Sequence, residues 1–117
     1  MTAEAWTPGR GQIVWVNFNP QKGHEQAGRR PALVISPAAY NAVSNCVLVC
    51  PITTNPAPWP WKVMLPEPEV GGVITGAILV DQVKSIDANA RNIQDSGQRV
   101  ESSRMDEVLA RLATLTG

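Results

Sequence analysis

A sustained helical spacing of apolar residues occurs once in this chain, at Met105, Val108, Leu109, Leu112 and Leu115. Ser102 or Ser103 stands where a helix cap is needed, and Gly117 follows the end. Upstream of it the apolar residues come in short runs cut by proline and glycine. Many short strands followed by one amphipathic helix predict a mainly β fold, a small barrel with the helix packed on it. The chain has 117 residues, which suits one domain and one core. Residues 1–10 read as a loose arm, and residues 11–117 as a single domain.

The runs can be placed individually. Ile13 to Phe18 is apolar on both alternating faces, so it reads as a strand buried on two sides. Ala32 to Ser36 is a second strand, ended by Pro37, and Ala38 to Val43 fits a short helical turn with Ser36 as its cap. Asn45 to Ile52 is a third strand. Thr53 to Trp61 holds three prolines and must be loop. Lys62 to Leu65, Val73 to Val80 and Val83 to Ile86 read as further strands, with Glu67 to Gly72 a polar turn. Gly76 marks a bulge or a close backbone approach within the Val73 strand.

Composition excludes several function classes. Hydrophobic residues make up 44% and charged residues 17%, a globular balance. Ten basic and ten acidic residues cancel, so no overall field draws the chain to nucleic acid or membrane. An anionic ligand must then be held by a local basic cluster. The sequence lacks an apolar run of membrane-spanning length, and its N-terminus lacks the apolar centre of a signal peptide, so a cytoplasmic protein is expected. Cys46 and Cys50 lie four residues apart on one expected strand. That separation of about 13 Å exceeds what a disulfide spans, so both read as buried apolar side chains. No metal and no cofactor are expected.

The charged segment from Lys22 to Pro31 packs His24, Glu25, Arg29 and Arg30 between Gly23, Gly28 and Pro31. Glycines permit backbone angles closed to other residues and proline stops a helix, so this is a turning loop. Loops held between strands are where sites tend to lie.

Four segments together resemble one family. Trp15-Val16-Asn17-Phe18-Asn19-Pro20 leading into the charged loop, Pro51-Ile52-Thr53-Thr54, Trp59-Pro60-Trp61, and Asp81-Gln82-Val83-Lys84-Ser85-Ile86-Asp87 occur in the order found in the MazF/PemK toxin endoribonucleases. The resemblance implies an SH3-like barrel of the MazF/Kid/CcdB type and a homodimer. It implies metal-independent cleavage of single-stranded RNA, inhibition by a cognate antitoxin, and contact with operator DNA only through the antitoxin complex. It makes Arg30 and Thr53 the carried-over catalytic pair, with Glu25 as a further functional residue.

Those residue types suit the reaction. Without a metal, the ribose 2′-hydroxyl attacks its own phosphodiester and leaves a 2′,3′-cyclic phosphate and a 5′-hydroxyl. The step needs a base, an acid, and positive charge on the phosphorane. The Arg30 fork can donate to two phosphate oxygens, but arginine holds its proton too tightly to shuttle it. Thr53 can hydrogen-bond the scissile phosphate, and Glu25 is a reasonable base. His24, beside Glu25, is the residue type that can serve as acid or base near neutral pH and is the alternative for that role, or a substrate contact. Arg29 is expected on phosphate or a partner. Trp59 can stack on a base while Trp61 fills core, and Lys62, Lys84 and Arg91 are further cations within reach of a phosphate chain. Trp15 is expected in the core or a dimer interface. The antitoxin is expected to lay an extended acidic segment over Arg29, Arg30 and the Trp59 loop.

Where the family often carries carboxylates, this chain has Gln12, Asn17 and Asn19, which makes the groove less negative. Some relatives place an arginine two residues before the aspartate of the DQ segment; here that residue is Leu79, so Asp81 reads as structural or dimer-related. Two other functions fit the same fold: a non-catalytic toxin that binds a protein such as gyrase, and an antitoxin-binding co-repressor that has lost cleavage.

Overall fold

A computed structural model describes residues 6–18, 29–66 and 73–117. Strands β1 (Gln12–Asn17), β2 (Arg29–Val34) and β3 (Cys46–Thr53) form the centre of an antiparallel sheet. Helix α1 (Ala38–Ser44) joins β2 to β3. Strands β4 (Lys62–Met64) and β5 (Ala77–Leu79) extend one edge, β6 (Lys84–Asp87) pairs with the first half of β3, and β7 (Gln94–Arg99) pairs with β1. The ladder order is β4-β5-β3-β2-β1-β7, with β6 on β3. Helix α2 (Ser102–Thr116) closes the chain.

Alternation along the central strands builds two cores. Ile13, Leu33, Cys50, Ile52, Val63, Ile78, Val80, Met105 and Val108 form the larger one, covered by α2 through its apolar stripe. Val14, Val16, Ala32, Val34, Val47, Val49 and Ile86 form the second, on the opposite face. Strand β1 is thus buried on both sides, as its pattern predicts. The sheet is strongly curled. Strands β1 and β6 stand three places apart in the ladder, about 14 Å in a flat sheet. Yet the Lys84 ammonium on β6 lies 5.2 Å from the centroid of the Phe18 ring just past β1.

Several local expectations are corrected. Ser36 does not cap α1; the N-cap residue is Pro37, without a side-chain bond. The Ser36 hydroxyl instead donates to Asn41 Oδ1 and accepts from the Leu48 amide at 3.0 Å. The buried Asn41 amide donates to the Pro8 and Ser36 carbonyls. That network fastens the described part of the N-terminal arm: Pro8 is buried, and the Arg10 Nε donates to the Ile35 carbonyl. Residues 1–5 of the arm lie outside the described residues. The cap of α2 is Glu101 and not a serine, with the Ser103 hydroxyl donating to the Glu101 carboxylate. The expected strand from Val73 shortens to Ala77–Leu79, because Gly76 turns the backbone at φ +119. The expected turn 67–72 lies outside the described residues. Strand β7, with no apolar run, escapes the sequence pattern.

The two cysteines are free; Cys46 is half-buried and Cys50 fully buried. Burial first, and the Asp81 carboxylate second, push the Cys50 thiol up from 9.0 to about 12. Its proton is therefore kept in the fold and shed on unfolding between those values. Stability attached to this group is full below pH 9.0 and falls as pH rises toward about 12. Cys50→Ala should flatten the alkaline decline of a urea-unfolding series between pH 9 and 11. In native protein at pH 8 a thiol-specific disulfide reagent should leave Cys50 unmodified until denaturant is added; rapid native labelling of Cys50 would contradict the assignment.

Candidate active site

The second core face ends in a polar rim. In the β2–β3 ladder Ala32 faces Pro51, Leu33 faces Cys50 and Val34 faces Val49. Continued two residues further, the same register sets Arg30 opposite Thr53. Residues opposite each other in an antiparallel pair share a face, with Cα atoms about 5 Å apart. Arg30 follows Ala32 and Val34 by alternation, and Thr53 follows Val47 and Val49, so both belong to the second core's face. Lys84, opposite Val49, belongs to it as well. Arg30 is exposed, and among the described residues its guanidinium has no hydrogen-bond or ion-pair partner.

Thr53 ends β3 with a defined hydroxyl. Its Oγ1 accepts the Asn55 amide at 3.1 Å, while the Asn55 side-chain oxygen accepts the Ala57 amide at 2.9 Å. One lone pair of Thr53 is thereby occupied, and among the described residues its hydroxyl donates to no acceptor. Asn55 was missed by the sequence reading, although Asn before Pro is a turn signal that could have found it. From below, Gly76 supports the same place: a Cβ there would lie 2.2 Å from the Thr53 carbonyl oxygen.

Arg29 points the other way. Its guanidinium donates to Asn17 Oδ1 at 3.3 Å, to the Asn92 carbonyl at 3.2 Å and to Gln94 Oε1. It ties the β1–β2 end to β7 and is already supplied with acceptors. Asn17, expected to tune the groove, is thus Arg29's partner. Arg91 is structural too, donating to the Phe18 carbonyl at 3.0 Å. The Lys62 ammonium grips the Asn55 and Ala57 carbonyls inside the loop. Of the cations expected near a phosphate chain, Arg30 and Lys84 share one face and, among the described residues, neither has a hydrogen-bond or ion-pair partner, Lys84 lying over the Phe18 ring. Glu25 and His24 lie outside the described residues.

Trp59 and Trp61 divide as expected in exposure. Trp59 is 48% exposed, whereas Trp61 packs against the larger core. They are not on fully opposite faces, since their ring centroids are 5.5 Å apart at 54°. Trp15 also packs on the larger core.

Residues 9–116 match the family model described as PemK-like, MazF-like toxin of type II toxin-antitoxin system. The chain is 39% identical over 112 residues to the endoribonuclease toxin MazF of Escherichia coli K12, covering 96% of each. It superposes on the crystal structure of MazF from Deinococcus radiodurans with a TM-score of 0.83 and 40% identity, covering 97% of this chain and 99% of that one. A MazE-MazF structure from the same organism matches with a TM-score of 0.80 and 34% identity, over 97% and 98% of the two chains. The resemblance carried by the four sequence segments is therefore a true kinship, and this chain belongs to the PemK-like, MazF-like toxin family of type II toxin–antitoxin systems.

Proposed function

We propose that this protein is a sequence-specific, metal-independent endoribonuclease that cuts single-stranded mRNA in the cytoplasm as a homodimer, and that a cognate antitoxin neutralises it. The observation that carries the reading is that strand alternation and the β2–β3 register put the exposed Arg30 and the Thr53 hydroxyl on one sheet face, Arg30 having no side-chain partner among the described residues. In the reaction the 2′-oxygen bonds to phosphorus and the bond from phosphorus to the 5′-oxygen breaks. Arg30 neutralises charge on the non-bridging oxygens, and Thr53 donates a hydrogen bond to one of them. Glu25 takes the 2′-hydroxyl proton, with His24 the alternative, and the leaving 5′-oxygen is protonated to a 5′-hydroxyl. Glu25 and His24 are assigned from sequence and family membership. Lys84 extends the cationic face along the RNA. The antitoxin's extended acidic segment covers Arg30 and the Trp59 loop, and operator DNA is met only in the toxin–antitoxin complex. MazE–MazF structures among the neighbours support such a partner.

Incubating the purified protein with a long RNA in EDTA tests the reading. Cleavage should proceed, leaving 5′-hydroxyl ends, and sequencing those ends gives the recognition motif. Intact RNA would instead favour a protein-binding toxin or a co-repressor without cleavage.

A further inference from the structure

An exposed tryptophan normally leaves its indole N–H to water and its ring free to rotate. Trp59 is half exposed yet fixed: its Nε1 donates to Asp81 Oδ2 at 3.0 Å, across 22 residues of chain. Asp81 is itself firmly mounted. It lies in the single helical turn Val80–Gln82 after β5, beside the fully buried Val80, whose amide bonds the Trp61 carbonyl at 3.0 Å. Trp61 supplies the second wall, its indole held by Thr114 Oγ1 of α2 at 2.9 Å. Arg111 of α2 donates to the Pro60 carbonyl between the two rings. With Lys62 gripping the Asn55 and Ala57 carbonyls, the segment from Thr53 to Trp61 is fastened along its length.

A rigid aromatic face left open to solvent, a few residues from Thr53, is built to stack on a flat ligand without paying for side-chain ordering. A carboxylate beside an RNA path would repel phosphate unless it served another purpose, and here it anchors the indole. We propose that Asp81 is a positioning residue: it holds the Trp59 ring as a stacking platform for an RNA base and takes no part in proton transfer at the phosphate. The proposal deepens the endoribonuclease reading and rests on it.

Asparagine keeps the accepting oxygen but loses charge and titration, so the full-length variants Asp81→Asn and Asp81→Ala separate the roles. Three readouts apply: the Trp59 indole N–H signal in a ¹⁵N–¹H spectrum, affinity for a fully 2′-fluoro transcript that lacks the nucleophile, and KM and kcat on cleavable RNA. Asp81→Asn should keep the indole signal near its position and kcat within about threefold, with an unchanged pH profile. Asp81→Ala should shift the signal and weaken RNA binding by about 3–10-fold, while Trp59→Ala weakens it by about 5–100-fold. The double variant should bind no worse than Trp59→Ala alone. Additive losses, an unmoved indole signal, unaltered RNA affinity in Asp81→Ala, or a collapse of kcat in Asp81→Asn would each overturn the proposal. Because binding is read on an RNA that cannot be cut, failure of the positioning role is distinct from failure of the nuclease reading, which shows as intact cleavable RNA with wild-type protein.

Discussion

Arg30→Ala should lower kcat for RNA cleavage by about 10²–10³-fold, the loss typical when one donor to a developing oxyanion is removed. The fold should be unaffected. Arg30 is exposed, and among the described residues it has no partner to orphan, so unfolding free energy should move by no more than about 0.5 kcal/mol. Arg30→Lys restores charge without the fork and should recover only part of the rate. Arg29→Ala should behave in the opposite sense. Its guanidinium serves three acceptors at the β1–β2 end, so its removal should lower stability by about 1–3 kcal/mol and affect kcat less than Arg30→Ala does. Single-turnover cleavage, paired with urea unfolding of each variant, checks the contrast. Equal kcat losses at Arg29 and Arg30 would refute the assignment of the two faces.

That contrast shows where sequence reading stops. The order of elements was legible because β1, β2, β3 and α2 bury alternating or helical sets of apolar residues. Strand β7 was not: Gln94–Arg99 is held by backbone pairing to β1 and by Ser96 donating to the Ile13 carbonyl, and it buries no apolar side chain. The expected strand at Val73 failed for a related reason. Its apolar letters suggest burial, but Val73 is 75% exposed and pairing begins only beyond Gly76. Arg30 and Thr53 could be named from their motifs, while their placement on one sheet face depends on strand alternation and the β2–β3 register. Arg29 and Arg30 look alike in a charged run; the two-residue period of the strand sends them to opposite faces. Thr114 and Arg111 were invisible as site residues because each acts through a backbone or indole contact that only the fold creates.

Gly76→Ala should be among the most damaging single-methyl changes in the chain, in stability and in activity together. The φ of +119 at this position is already unfavourable for any residue with a Cβ. The added carbon would also lie 2.2 Å from the Thr53 carbonyl oxygen and 2.9 Å from its carbon. Both are backbone atoms, so no side chain can swing aside, and either β3 or the start of β5 must shift. Backbone strain of about 1–3 kcal/mol and overpacking of similar size give a total of about 2–6 kcal/mol. At about 4 °C per kcal/mol for a domain of this size, that lowers Tm by about 8–24 °C. Gly97→Ala separates the two contributions, because Gly97 has a φ of +85 but nothing within 4 Å of an added Cβ. It should cost about 1–2 kcal/mol and leave cleavage intact. Gly76→Ala, assayed well below its own Tm, should still cleave more slowly than Gly97→Ala, because the shift falls on Thr53, whose hydroxyl is proposed to donate to the phosphate. If the two alanines matched in Tm and in kcat, the close approach of Gly76 to Thr53 would not govern the geometry of the site.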